Sequence, residues 1–381
     1  MFLPGSGYVS QPCHRERRLV KILALEPYYG GSHKTFLNGL KNHLPFDFKL
    51  LSLPARKWKW RMRLAAPYFA EKITARAKTD LPDIIFCSSF VDVAALRALL
   101  PGPLQQIPIY SYFHENQFAY PVQREDERDF HFGLTNFTTI LASDRAAFNT
   151  RYNLQTFLRG TEQILKICPD MKLAESPASL QTKISILNPG VDFSRIDSAG
   201  KGRENKPGPP VVVWNHRWEH DKNPELFFRT ILDLEKAGAD FRLIVLGQSF
   251  RRRPAIFSEA KKRLQPKILH WGFVDSPDEY AQLLQQGDIV VSTAGHEFYG
   301  IAVIEAVRAG CLPLLPKRLS YPELFPEEYL YEDNELLPRL KSLLKNPVNN
   351  ERQKLKELAA RFSWDSLTQK YVAWFSTGRK P

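Results

Sequence analysis

The chain is short of the features that mark secreted, membrane-spanning or disulfide-stapled proteins. Its 381 residues include four cysteines, Cys13, Cys87, Cys168 and Cys311, with neither paired nor metal-ligand spacing. Cys87 and Cys311 fall in apolar runs, where a thiol behaves as a small hydrophobe, and a reducing compartment is expected. No segment approaches 18 consecutive apolar residues, and the opening "MFLPGSGYVSQPCHRERR" has no signal-like apolar run, so a cytoplasmic location is predicted. GxGxxG and Walker A patterns are missing, which removes the main support for a nicotinamide enzyme or a P-loop NTPase. Asp-x-Asp is missing too: "REDERD", Arg124 to Asp129, comes closest. A divalent ion clamped on a diphosphate by such a pair is therefore not encoded.

Negative charge is also in deficit. Lys and Arg number 53 against 41 Asp and Glu, a net charge of +12. That excess predicts attraction to a polyanion: nucleic acid, an anionic membrane surface or a phosphorylated ligand. Composition is otherwise that of a soluble globular protein, and the length predicts two domains.

What the chain does have is alternation. "LVKILALEP", "DFKLLSLP", "DIIFCSS", "IPIYSYFHE" and "ISILNPGV" read as short buried strands separated by helical stretches. After a Gly- and Pro-rich lapse the pattern restarts with "VVVWNHR", "FRLIVLGQ", "ILHWGFV", "DIVVSTA" and "CLPLLPK". Strand, helix, strand, repeated, predicts an α/β protein built from two doubly wound parallel sheets facing across a cleft. The expected boundaries are a flexible extension over 1–18, a first Rossmann-like domain over 19–195, a linker over 196–210 and a second Rossmann-like domain with C-terminal helices over 211–381. Ser276-Pro277-Asp278-Glu279 reads as a capping box opening a helix.

Ligands of such sheets bind beyond the carboxyl ends of the strands, so the residues there are the candidates. After the first strand, Gly30 and Gly31 permit a close backbone approach to a ligand; the plain alternative is a strand-to-helix turn. His114, Glu115, Asn116 and Gln117 follow "IPIYSYF" and suit recognition of a sugar or base, with His114 the candidate for the reacting sugar; the alternative is a self-satisfied loop. Arg217 and Lys222 lie five apart before a helix starting near Pro224, an arrangement suited to a diphosphate. In "STAGHEFYGIAVIEAVRAG", Glu297 sits in the loop and Glu305 in the second turn of the helix. Glu305 can accept two ribose hydroxyls, Glu297 can take sugar hydroxyls, and the backbone N–H groups of Phe298, Tyr299, Gly300 and Ile301 are expected to face phosphates.

Two segments concentrate cations: "RKWKWRMR", Arg56 to Arg63, and "RRRPAIFSEAKKR", Arg251 to Arg263. The first interleaves Trp58 and Trp60 with Arg56, Lys57, Lys59, Arg61 and Arg63, a pattern suited to an unpaired RNA loop. An anionic membrane surface and a merely solvated face are the other readings.

The Glu297-x7-Glu305 spacing, with Arg217 and Lys222 upstream and the Gly-Gly loop, resembles the retaining GT-B glycosyltransferases of family 4. The strings "LALEPYYGGSHKTF", "YFHENQFAYPV", "FGLTNFTTILASDRAAFNT", "LNPGVDF" and "VWNHRWEHDKNPELFF" resemble one branch of it, the tRNA-queuosine mannosyltransferases. The resemblance implies that Arg217 and Lys222 neutralise the donor diphosphate, Glu305 holds the ribose, Glu297 holds the transferred sugar, and His114 meets its reacting face. Gly30 and Gly31 would lie near diphosphate and acceptor. It implies GDP-mannose as donor, the cyclopentene hydroxyl of queuosine in the anticodon loop of tRNA-Asp as acceptor, retention at the anomeric carbon, and neither metal nor other cofactor. His33, Glu115, Asn116, Gln117 and the Arg56–Arg63 segment then fall to the acceptor side. A lipid-acceptor glycosyltransferase at a membrane surface and an RNA-binding protein on an inactive GT-B fold are the competing readings.

Overall fold

The computed structural model describes residues 19–76, 81–120, 129–167, 170, 179–199, 208–249, 254–345 and 351–376. The N-terminal extension, positions 124–128 of the acidic-basic run, 200–207 of the linker and Arg251–Arg253 lie outside the described residues. Apolar runs of two to nine residues become strands, and polar or turn residues end most of them. The first sheet holds β1 (Lys21–Tyr29), β2 (Asp47–Pro54), β3 (Ile84–Ser88), β4 (Ile109–Phe113), β5 (Arg145–Phe148) and β6 (Ile184–Ile186) in the order β2-β1-β3-β4-β5-β6. The second holds β7 (Val211–Asn215), β8 (Arg242–Leu246), β9 (Ile268–Gly272), β10 (Ile289–Val291), β11 (Leu312–Pro316) and β12 (Leu330–Tyr331) in the order β12-β11-β10-β7-β8-β9. Neighbours pair in parallel throughout.

Parallel strands need crossovers, and the crossover helices cover both faces. Along β1 the side chains alternate accordingly. Ile22 and Ala24 enter the core under the helix Gly31–His43, whereas Leu23 and Leu25 enter the one under the helix Trp58–Arg76. The predicted strands are present within a few residues. Two were not anticipated, β5 and β12, which at four and two residues are too short to show a period. Ser276 caps its helix as expected, its hydroxyl accepting from the Glu279 N–H at 3.3 Å with Pro277 at the first position. Among the described residues no helix is long and apolar enough to cross a membrane.

Each order reverses direction once, between β1 and β3 in the first sheet and between β7 and β10 in the second. At such a switch the connecting segments leave toward opposite faces and open a crevice at the strand ends. Glu26 and Ser88 stand at the first switch; Arg217 and Glu297 follow the two strands of the second.

The last helix, Trp364–Ser376, packs its aromatic face on the first half of the molecule. Trp364, Leu367, Tyr371, Trp374 and Phe375 join Phe36, Leu40, Phe86, Tyr110 and Tyr112 in the core of the first sheet. The division at 211–381 assigned this helix to the second unit, but its aromatic face is complementary to the first. The Trp364 indole lies between Gly39 and Gly190, where added Cβ atoms would come within 2.2 and 2.3 Å of it. Tyr371 donates its hydroxyl to the Asn188 carbonyl at 2.9 Å. Gly190→Ala should therefore push the indole out and cost about 1–3 kcal/mol, and Trp364→Ala about 3–5 kcal/mol. Chemical denaturation measures both, and an unchanged midpoint for Gly190→Ala would show that the indole is not wedged there.

Candidate active site

The second half supplies a buried lysine. Lys222 ends a short turn, His220–Lys222, and Asn223 then adopts a left-handed conformation (φ 48°) and caps the helix Pro224–Lys236 by accepting from the Leu226 N–H. Thr293, just after β10, fixes that turn by donating its hydroxyl toward the Lys222 and Asn223 carbonyls. The ammonium lies 3.0 Å from Asp221 Oδ2 and 3.3 Å from Glu297 Oε2 and donates to the His296 carbonyl at 2.6 Å. Burial opposes its charge, but Glu297 and Asp221 outweigh that and hold its pKa above the usual lysine value. Burial likewise opposes the charge of Glu297. Lys222 first, then His216, His296 and the Tyr299 N–H, bring that carboxyl down to about 2.

Two imidazoles flank the pair. Burial and then the Lys222 charge lower His216 and His296 to about 4, so both are neutral near pH 7. The Nε2 atoms of both are buried without a hydrogen-bond partner. Buried polar atoms without partners are uncommon, and at the mouth of a charged crevice they suit a polar ligand. Arg217 is more open, with half its side chain exposed and an ion pair to Glu219 at 3.1 Å. A surface pair of this kind is weak and easily exchanged.

The helix Ile301–Arg308 begins after Gly300, whose φ of 90° is open to glycine at little cost. Glu305 accepts from the Tyr280 hydroxyl at 2.6 Å, and that hydroxyl accepts from Asn215 Nδ2 at 2.8 Å. Burial raises the Glu305 carboxyl to about 7, with the Tyr280 bond acting in the opposite sense. The expectation that four successive N–H groups face phosphates is narrowed. The Tyr299 N–H is directed at Glu297 Oε1 (3.4 Å), the Tyr299 hydroxyl donates to Pro189, and the Phe298 carbonyl accepts from Thr150. Phe298 and Tyr299 thus tie the two halves together, leaving Gly300 and Ile301 at the helix opening.

The first half supplies a second buried cation. Gly30 is extended and passes so close to Ala55 that a Cβ would meet it at 2.5 Å, while Gly31 turns left-handed (φ 50°) into the helix carrying His33. Glu26, 1% exposed, accepts from the Tyr28 N–H (2.8 Å) and the Ser88 hydroxyl (3.2 Å) and lies 3.0 Å from His33 Nδ1. His33 Nε2 is 3.5 Å from Glu115 Oε2. Burial works against the imidazolium, yet Glu26 and then Glu115 raise it to about 10. His114 packs 4.3 Å from His33 between Phe36 and Tyr112; burial and the His33 charge hold it well below the usual histidine value and hence neutral.

The packing qualifies three acceptor-side expectations. Asn116 is fully buried and uses its amide on Asn153, Thr156 and the Ala119 N–H, so it braces the loop. Gln117 is buried, with its N–H on Asn136. Trp58 packs one part of its ring against Phe132 and Tyr120, 5.2 and 5.8 Å away, and stays partly open. The rest of that segment opens the helix Trp58–Arg76: Arg56, Lys57, Lys59, Trp60 and Arg63 are exposed, while Arg61 is half-buried and donates to the Pro54 carbonyl. Lys261, Lys262 and Trp271 line a separate recess of about 520 Å³ that includes none of the residues above. Sequence reasoning passed over Glu26, His216, Asp221, Tyr280 and His296. Four of them lie inside the quoted strings and Tyr280 follows the capping box, but their long-range partners come with the β1–β3 and β7–β10 adjacencies.

Residues 21–191 match a family model described as tRNA-queuosine alpha-mannosyltransferase N-terminal, and 198–362 match one described as glycosyl transferases group 1. A tRNA-queuosine alpha-mannosyltransferase of Drosophila melanogaster is 35% identical over 367 residues, 93% of this chain and 96% of that protein. A GDP-mannose:cellobiosyl-diphosphopolyprenol alpha-mannosyltransferase of Xanthomonas oryzae is 26% identical over 35% of this chain and 34% of its own. Among solved structures, HepE of Anabaena in complex with UDP superimposes with a TM-score of 0.67 at 12% identity over 94% of this chain and all of that one. The sucrose-phosphate synthase of Thermosynechococcus elongatus gives 0.69 at 14% identity, covering 93% and 98% of the two chains. The fold is GT-B.

Glu305 sets a pH test. If ribose hydroxyls donate to its carboxylate, a bound nucleoside diphosphate stabilises the anion and releases the proton held near pH 7. Affinity should then rise from pH 6 to 8 and level off above. Glu305→Gln should lose the part of the slope due to this group and weaken binding at pH 8 about tenfold or more, the scale of one charge-assisted hydrogen bond. Calorimetry across that range decides; a variant that keeps the wild-type slope and affinity would place the ribose elsewhere.

Proposed function

Because the chain belongs to the tRNA-queuosine alpha-mannosyltransferase family, and is a glycosyltransferase, we propose that it moves mannose from GDP-mannose onto the cyclopentene hydroxyl of queuosine in the anticodon loop of tRNA-Asp. One observation carries the acceptor side of this reading. The match to the queuosine-specific model falls on 21–191, the half with Glu26, His33 and Glu115, whereas the general glycosyltransferase model falls on the half with Arg217, Lys222 and Glu297.

The chemistry is mostly electrostatic. As the bond from the mannose anomeric carbon to the diphosphate oxygen breaks, negative charge grows on the leaving group. Lys222 and Arg217 offset it, with the opening of the helix Ile301–Arg308 adding its dipole. This stabilisation needs no metal ion. Glu297, ionised throughout the working pH range, accepts hydrogen bonds from sugar hydroxyls. His114, His216 and His296, all neutral, offer further polar contacts and are too weakly basic to take a proton from an alcohol. The acceptor oxygen bonds the anomeric carbon on the face the diphosphate leaves, and its proton passes to the departing phosphate oxygen, giving retention without a side-chain base.

A second reading, a lipid acceptor at an anionic surface, is favoured by one feature. Trp60, Leu64 and Tyr68 stand exposed at four-residue spacing on the helix Trp58–Arg76, beside Lys57, Lys59 and Arg63.

The deciding experiment is nucleoside mass spectrometry after incubating queuosine-containing or queuosine-lacking tRNA with GDP-mannose or UDP-glucose. A hexose on queuosine from GDP-mannose alone is expected, and Arg217→Ala should slow it about 10²–10³-fold. Transfer to neither tRNA would overturn the acceptor assignment. Replacing Arg56, Lys57 and Lys59 together with Ala should reduce the slope of log affinity against log salt for tRNA by about 2, at roughly 0.7 per phosphate contact. An unchanged slope, with anionic liposome binding lost instead, would favour the lipid reading.

A further inference from the structure

Beside the Glu26–His33–Glu115 chain stands a wall of aromatic rings whose presence the donor chemistry does not explain. Phe90, buried, stacks on His33 with centroids 5.3 Å apart, and Tyr28 meets Phe90 edge-on at 5.5 Å. Trp58 continues the wall, 6.4 Å from Phe90 and 5.8 Å from Tyr120. Phe90 is closed off, but Tyr28, Trp58 and Tyr120 are only partly covered.

The charges beside this wall do not cancel. His33 carries one positive charge between two carboxylates, and burial together with stacking on Phe90 prevents it from swinging away. Glu26 is enclosed and satisfied by three partners, so the uncompensated negative charge lies at Glu115, whose side chain is 13% exposed. Glu115 also acts electrostatically on Tyr120, lifting its phenol, after burial, to about 12, and on His296 across the cleft. It therefore lies within electrostatic range of groups in both halves, near the cleft where an acceptor must approach the donor sugar. A carboxylate framed by partly open aromatic faces is the chemistry that takes a cation: the ring faces attract it and the carboxylate pairs with it. A neutral hydroxyl would gain little from the rings. On the opposite wall Lys222 and Arg217 already hold carboxylates of their own, Asp221, Glu297 and Glu219, so that wall leaves Glu115 unpaired.

We propose that Glu115, held by His33 and framed by Tyr28, Trp58 and Tyr120, is the seat for a protonated secondary amine of the acceptor. The inference rests on the queuosine reading and deepens it. Queuosine carries its cyclopentenediol on an aminomethyl nitrogen that is cationic at neutral pH and is bonded directly to the ring bearing the reacting hydroxyls. Anchoring that nitrogen positions the ring, and it distinguishes the modified base from unmodified guanine, which has no such cation. Glu115 becomes a specificity residue, and Glu26 a positioning residue acting through His33.

The test compares two acceptors on the full-length chain: queuosine-containing tRNA, and the same tRNA with a methylene replacing the amine nitrogen. The wild type is expected to show a KM about tenfold or more higher for the isostere, with donor affinity unchanged. Glu115→Gln should raise the KM for queuosine-containing tRNA by a similar factor and abolish the difference between the two acceptors. Equal discrimination by wild type and variant would place the amine elsewhere, and no discrimination by the wild type would overturn the proposal without reference to any variant. If the wild type modifies neither acceptor while still binding GDP-mannose, the queuosine reading itself fails and the amine seat fails with it. Discrimination lost only through kcat would mark Glu115 as acting on the reaction rather than on recognition.

Discussion

A buried cation needs an anion in contact with it, and the described residues include two. Lys222 is held between Asp221 and Glu297, and His33 between Glu26 and Glu115. Neither is satisfied by its own element alone. Lys222 depends on the loop after β10, and His33 on strand β1 and the loop after β4. Breaking either pair would strand a charge in a low-dielectric setting, a loss on the order of 3–5 kcal/mol. The loops at the two switch points are therefore held in register by charge, and the rest of the site is arranged around them.

Burial, seconded by the same two cations, explains the neutrality of the histidines. His114 lies against His33, while His216 and His296 lie near Lys222; burial acts first on each and the adjacent positive charge second. Three imidazoles in one cleft would ordinarily suggest proton transfer near pH 7. Here they are dipoles, able to donate through one ring nitrogen and accept through the other. Glu305 is the contrasting case: a carboxyl without a cation, braced by Tyr280 and raised to about 7 by burial alone. Its ionisation is therefore open to change by a ligand near pH 7.

How much of this could be read from the chain follows from which interactions are local. Strand runs, the capping box at Ser276 and the polar loops after strands are encoded within a few residues, and they were legible. The Lys222–Glu297 pair spans 75 positions and forms because β7 and β10 are neighbours, so the sequence marks both residues without joining them. Glu26 reads as an ordinary strand residue until β3 brings Ser88 to it. Asn116 illustrates the opposite error. A polar residue after a strand looks available, yet Asn153 and Thr156, far along the chain, take up its amide. The last helix was misplaced for a similar reason: its aromatic face predicts burial but not which sheet it covers.

The relation between the halves rests on a small set of contacts. The carboxylate of Glu323, from the second half, accepts the Arg151 and Tyr152 N–H groups that open a helix of the first. A carboxylate there satisfies two orphan donors and complements the helix dipole. Thr150, the cap of that same helix, donates to the Phe298 carbonyl, and Tyr299 reaches Pro189. Phe298 and Tyr299 lie between Glu297 and Gly300 in the chain, so the loop that pairs with Lys222 is the loop that grips the first half. Any shift of one half against the other must move Glu297 relative to Lys222 or break these bonds. Donor-side charge and cleft geometry are thus one mechanical unit, and the C-terminal helix, docked on the first sheet through Trp364, closes the connection from the far side.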